Sequence, residues 1–173
     1  MKNEEIKLGK VGLRALEPED LDMLYSIENN RKLWYVGTAN VPYSRYMLHD
    51  YIVNATGDIY TDKQVRMVIT LSGKAVGLVD LFDFSPQHLR AEVGIAVLAD
   101  YQGNGCAAEA LQQLIDYART TLHLHQLYAL VATSNEKALS LFSKAGFLSS
   151  NVLNDWLFDG QKYENVALMQ FFL

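Results

Sequence analysis

The stretch Asp100-Tyr101-Gln102-Gly103-Asn104-Gly105-Cys106-Ala107 decides how this chain folds. Before it, residues 91–97 read as a strand. After it, Ala107, Ala110, Leu111, Leu114, Ile115, Ala118 and Leu122 recur every three or four residues, the stripe of an amphipathic helix. Two glycines therefore carry a strand into a helix. The turn leaves backbone N–H groups at the positive end of the helix dipole, a geometry that binds phosphate. A glycine pair here also serves as a plain tight turn, so its surroundings must carry the reading.

A strand over 127–132 follows the helix. Strand, helix and strand make a β-α-β unit, whose two strands run parallel, and ligands in such sheets sit at the strands' carboxyl ends, here near Val97 and Ala132. Upstream, strands over 65–71, 75–82 and 91–97 are joined by turns at Ser72-Gly73 and Ser85-Pro86, which predicts three antiparallel neighbours. A first strand spans 11–16. Glu17-Pro18-Glu19-Asp20 then opens a helix to about Asn29, and Ser44 caps another through about Asn54. Between them, 30–43 carries the loop signals Gly37, Asn40 and Pro42. Near the end, Ala138, Leu141, Phe142 and Ala145 stripe a shorter helix that stops at Gly146, and segments 155–158 and 162–171 close a hairpin around the two-residue turn Asp159-Gly160. The fold class expected is α/β, a mixed and mostly antiparallel sheet with a central β-α-β unit, in one domain over 1–173.

At 173 residues with 50% hydrophobic and 20% charged, the chain can bury one core without disulfide or metal. Fifteen Lys+Arg against 20 Asp+Glu give a net charge of −5, and no basic stripe forms, which argues against nucleic acid as a partner. The single cysteine, Cys106, excludes an internal disulfide and a cysteine-based zinc site and fits a reducing compartment. The start of the sequence has no apolar signal-peptide core, and no run approaches the ~18 apolar residues of a membrane span, so a cytoplasmic protein is expected. His49, His88, His123 and His125 show no metal-ligand spacing.

Gln102-x-x-Gly105-x-Ala107 and the later run Asn135-Glu136-Lys137-Ala138-Leu139-Ser140-Leu141-Phe142-Ser143-Lys144-Ala145-Gly146-Phe147 together resemble the GNAT superfamily of acyl-CoA-dependent N-acetyltransferases. That family's pyrophosphate loop reads Gln/Arg-x-x-Gly-x-Gly/Ala, and its second motif is an Asn opening a helix that ends Lys-x-Gly-Phe. Leu13-Arg14-Ala15-Leu16, Gly77-Leu78-Val79-Asp80 and Phe158-Asp159-Gly160-Gln161-Lys162-Tyr163 extend the likeness over nearly the whole chain. In look it is nearest the bacterial spermidine/spermine N-acetyltransferases, with ribosomal-protein N-terminal acetyltransferases as near cousins. The resemblance implies the GNAT fold, with helices on both faces of the sheet, and acetyl-CoA as acyl donor without a metal. It implies that Ile95, Ala96 and Val97 offer backbone to the pantetheine arm, that Gln102, Gly103, Asn104, Gly105, Cys106 and Ala107 hold the pyrophosphate, and that Asn135, Ala138, Phe142 and Lys144 complete the cofactor site. Cys106 needs no nucleophile role, since the family transfers the acyl group directly.

An alkyl amine of pKa ~10.4 is protonated at pH 7, and neutralising it costs about 4–5 kcal/mol. Glu92, on the strand face opposite Val93 and Ile95 among apolar neighbours, is the candidate base; the alternative is an ion pair with Arg90 or Lys74. Asp80 is a second carboxylate able to hold a cationic acceptor or to be merely hydrogen-bonded. Phe142 stands where many GNAT enzymes carry the tyrosine that protonates the leaving sulfur, so that hydroxyl is absent; Tyr101, Tyr128 or water are the substitutes. Trp34 and Tyr35 lie in a loop that is aromatic and, over residues 33–43, free of carboxylates. This favours a small-molecule amine or a peptide N-terminus over a polyamine, the alternative acceptor. A CoA-binding regulatory module without turnover is the competing function. The apolar ending Phe171-Phe172-Leu173 predicts burial in the core or against a second subunit of a homo-oligomer.

Overall fold

The computed structural model describes residues 9–33 and 41–173. Seven strands form one sheet in the order β1-β2-β3-β4-β5-β7-β6: β1 (Val11–Ala15), β2 (Val65–Leu71), β3 (Lys74–Ser85), β4 (Arg90–Val97), β5 (Gln126–Ala132), β6 (Leu148–Phe158) and β7 (Tyr163–Phe172). β4 and β5 are parallel and every other neighbouring pair is antiparallel, as the single β-α-β unit requires. The helices are α1 (Leu21–Glu28), α2 (Arg45–Asn54), α3 (Ile59–Asp62), α4 (Cys106–Thr120) and α5 (Glu136–Lys144).

Both faces of the sheet are covered. Ile69, Val79, Leu81, Val93, Leu127 and Ala129 alternate onto the face packed by Ala110, Leu111, Leu114 and Ile115 of α4 and by Phe142 of α5. Val68 and Leu78 point the other way, against Leu24, Leu48 and Ile52 of α1 and α2. Successive residues of one strand thus feed two cores, the period of two that a covered sheet needs. Each fully buried Leu or Ile on α4 contributes about 1.5–3 kcal/mol by leaving water. Among the described residues no helix is long and apolar enough to cross a membrane.

Two expectations need correction, and one element had no expectation at all. The strand expected over 155–158 begins at Leu148, and it escaped notice because two register shifts, one beside Asp155 at φ +50°, break its alternation. The hairpin turn is not a two-residue one: residues 159–162 make the loop, and the Asp159 carboxylate accepts from the N–H groups of Gln161 and Lys162 at 2.8 and 2.9 Å. The short helix α3, capped by the Asp58 side chain on the N–H groups of Tyr60 and Thr61, was not foreseen, since one turn leaves no periodicity to read. Elsewhere the differences are one to three residues at element ends, the largest being β3, which runs on to Ser85 where a turn was expected, and the first helix enters through a 3-10 turn at Pro18–Asp20.

Candidate active site

β4 and β5 pair only at Arg90↔Gln126, Ala91↔Leu127 and Glu92↔Tyr128. Beyond that point both strands continue, β4 to Val97 and β5 to Ala132, and they no longer pair with each other. Their outer edges stay fixed, β4 on β3 through Gly77↔Val97 and β5 on β7 through Ala132↔Val166. A wedge therefore opens between them towards their carboxyl ends, and Ile95, Ala96 and Val97 line one side of it. Backbone polar groups on such an edge suit an extended amide chain, which pairs with them as a strand would.

The glycine turn lies at the end of β4. Gly103 and Gly105 both hold φ +78°, and Gly105 is the N-cap of α4 with no side chain capping the first turn. The first N–H groups of a 15-residue helix thus lack a protein cap at the positive dipole end, where an anion is favoured. Gly103, Asn104 and Gly105 are exposed and Ala107 is half-buried. The turn is closed from within by Gln102, whose Nε2 donates to the Val97 carbonyl at 2.9 Å. Gln102 shapes the loop, and the backbone is left to meet the ligand. Cys106 faces the core and is buried. The open wedge, the left-handed glycines and the uncapped helix together fit an amide arm ending in a diphosphate.

Asn135 caps α5, its Oδ1 accepting from the Ala138 N–H at 3.1 Å. Ala138 packs on the main core and Lys144 is exposed in the last turn. Phe142 is 4% exposed, edge-on to Phe147 at 5.0 Å between ring centres, and Phe147 in turn meets Phe171 at 5.3 Å. Its ring is part of an aromatic stack in the core.

Glu92 sits where the wedge begins, the last β4 residue in register with β5. No ion pair among the described residues involves it; Lys74 instead lies over the Tyr101 ring at 5.2 Å. Burial pushes the Glu92 carboxyl up to about 7, the negative Asp83 adds to the rise, and the Leu130 N–H opposes it. A carboxyl poised near neutrality takes a proton and returns it with little cost in either direction. Of the substitute acids, Tyr128 donates its hydroxyl proton to Asp83 Oδ2 at 2.5 Å, and burial with that bond raises it well above an ordinary phenol. It is a poor proton donor.

Asp80 is taken by Arg66, whose Nε and Nη2 each donate to one carboxylate oxygen at 2.9 Å, while Nη1 meets Glu28 at 2.6 Å. Two carboxylates share one guanidinium on the face that also bears Glu92, and neither Arg66 nor Glu28 was singled out from the sequence. The signal lay in cross-strand register, Arg66↔Asp80, which no linear reading shows. Trp34 and Tyr35 lie outside the described residues. A separate open cleft is lined by Arg31, Lys32, Asp159, Gly160, Gln161 and Glu164.

Residues 10–148 match the model of the acetyltransferase (GNAT) domain. The chain belongs to the GNAT acetyltransferase family. It is an N-acetyltransferase whose donor is acetyl-CoA. The spermidine N(1)-acetyltransferase of Escherichia coli K12 is 32% identical over 166 residues, covering 94% of this chain and 86% of the relative. The putative ribosomal N-acetyltransferase YdaF of Bacillus subtilis is 26% identical, covering 86% and 83%. Among solved structures, the spermidine N-acetyltransferase of Vibrio cholerae in complex with CoA and spermine superimposes with a TM-score of 0.82 at 30% identity, covering 94% of this chain and 95% of that one. The GNAT fold, with its mixed sheet and helices on both faces, is therefore as expected.

Proposed function

We propose that this GNAT enzyme acetylates a primary amine of a small alkyl polyamine such as spermidine, by direct attack while amine and acetyl-CoA are both bound. The observation that carries the reading is Glu92, half-buried at the head of the wedge and poised near neutrality. Acetyl-CoA supplies the activated acyl carbon and a thiolate leaving group. Glu92 takes one ammonium proton, the nitrogen lone pair forms the new C–N bond as the C–S bond breaks, and the second proton the nitrogen must lose passes through solvent to the departing thiolate. No hydroxyl stands at position 142, and a thiol of pKa about 8.5 leaves tolerably without one. The backbone of Ile95, Ala96 and Val97 and the turn from Gln102 to Ala107 hold the donor, and Asn135 fixes the start of the helix beside it.

Two observations favour a polyamine over the peptide N-terminus. The relatives at 32% and 31% identity are named spermidine N(1)-acetyltransferases. The carboxylates missing from the loop over 33–43 are supplied around the sheet face instead, where Glu28 of α1 and Asp80 of β3 share Arg66 and Glu92 lies on the same face of the neighbouring strand. A cationic chain gains from that excess of negative charge. We infer also that copies of the chain associate through the edge strand β6, which exposes Val152, Trp156 and Phe158; a dodecameric structure is known for the spermidine N-acetyltransferase of Vibrio cholerae.

A thiol-release assay with acetyl-CoA across spermidine, spermine, amino acids, amino sugars and short peptides tests the acceptor. Highest kcat/KM with the polyamines is expected. Faster turnover of peptides overturns the acceptor, and acetyl-CoA binding without amine-dependent release would make the protein a binding module.

A further inference from the structure

β3 breaks register with β4 between Phe82 and Ser85, and at the break Asp83 adopts φ +48°. A left-handed non-glycine residue is uncommon, although aspartate tolerates it better than most, and such positions gather at functional sites. The bulge lets the Asp83 carboxylate reach across β4 to the hydroxyl of Tyr128 on β5, at 2.5 Å. Glu92 lies on the strand between them, opposite Phe82 on one side and Tyr128 on the other. The hydrogen bond is thus a strap over the candidate base. It also ties β3 to β5 at the last rung before the wedge opens.

We propose that Asp83 and Tyr128 are positioning residues for Glu92: Tyr128 anchors the Asp83 carboxylate beside it, and this second negative charge sets the pH at which Glu92 can accept a proton. This rests on the reading of Glu92 as the base. An anchored anion makes ionisation of its neighbour harder, so Glu92 keeps its proton to higher pH and, once ionised, is the stronger base toward an ammonium group. The raised carboxyl of Glu92, with Asp83 as a contributing cause, agrees. The other groups in the neighbourhood are Arg90, at the start of β4 and felt by Tyr128, and the Glu28, Arg66 and Asp80 cluster on the same face. In that cluster Glu28 and Asp80 are both held on Arg66, and Asp83 is the charge that raises Glu92.

The test compares wild type, Asp83→Asn, Tyr128→Phe, the double variant and Glu92→Gln in the pH profile of kcat/KM for spermidine, or for whichever amine the panel identifies. Glu92 is also followed directly by carboxyl carbon NMR titration, which needs no turnover. In Asp83→Asn the acidic limb and the NMR midpoint should move down by about one pH unit, the scale of a nearby like charge. Tyr128→Phe should move them the same way by less, and the double variant no further than Asp83→Asn. An unmoved midpoint in a folded Asp83→Asn protein overturns the proposal, as does an additive double variant. Should Glu92→Gln keep the acidic limb, the base reading itself fails; should it lose that limb while Asp83→Asn leaves the midpoint in place, only the strap fails.

Discussion

An alkyl amine is protonated at pH 7, and Glu92, the proposed base, is a carboxyl that burial pushes up to about 7. Glu92→Gln is expected to lower kcat at pH 7 by roughly tenfold to a thousandfold, the range of general-base loss, and to leave the acetyl-CoA thermal shift in place, since the base acts on the amine. The same residue makes an opposite prediction for stability. Burial pushes its carboxyl in the folded state up to about 7, above the ordinary 4.5, so the folded state holds the proton more tightly than the unfolded state. Stability contributed by this proton is present below about 4.5 and is lost as pH rises towards about 7. Glu92→Gln removes that loss, so the variant should melt higher than wild type at pH 8, with the gap closing near pH 5. Melting curves at the two pH values decide it, because an ion-pairing Glu92 would give a variant that melts lower at pH 8.

The elements proposed to hold acetyl-CoA are a splayed strand pair and a helix start, and the glycine turn joins them. Gly105 at φ +78° is a conformation that a β-branched residue adopts only with strain, and its side chain would also stand where an anion approaches the backbone. Acetyl-CoA at a hundredfold excess over Kd should stabilise the wild type by about 2.7 kcal/mol. In Gly105→Val that shift should vanish; an undiminished shift, read by differential scanning fluorimetry, removes the turn from the site. This turn was legible in the sequence because its signals are local: two glycines, a strand before them and a 3.6-residue stripe after them. The β-α-β unit, the antiparallel trio and the placement of Glu92 on the strand face opposite Val93 and Ile95 were legible for the same reason, as local periodicity. What stayed hidden depends on contacts across strands. The Glu28, Arg66 and Asp80 cluster spans 52 positions from Glu28 to Asp80 and exists only through the register of β2 on β3 and the packing of α1 over them. The Asp83 strap needs a bulge that no residue pattern announces, and the register shifts in β6 break its alternation, so only its last stretch, 155–158, reads as a strand.

On the scale of the molecule, the sheet has two edges, β1 and β6, and they are not alike. β1 is five residues long and α4 packs along it, its Gln113 Nε2 donating to the Val11 carbonyl at 3.1 Å. β6 is eleven residues long, and among the described residues no strand lies outside it. It exposes Leu148, Val152, Trp156 and Phe158, and Tyr163 on β7 adds its ring beside Phe158 at 5.1 Å. Proteins blunt long edges with charge, bulges or a covering element, and β6 has the bulges while keeping its apolar side chains in water. Trp156, 55% exposed, is the largest of them, and tryptophan is over-represented among residues that dominate interfaces. The inferred contact between copies should therefore fail when a charge is placed there. Wild type is expected to run as an oligomer in light scattering coupled to gel filtration, and Trp156→Glu as a smaller species at the same concentration. Nothing in the described cofactor site involves β6, so the variant should retain its acetyl-CoA thermal shift, which separates lost assembly from lost folding. A Trp156→Glu protein of unchanged mass, or a wild type that is monomeric throughout the micromolar range, would place the contact elsewhere or remove it.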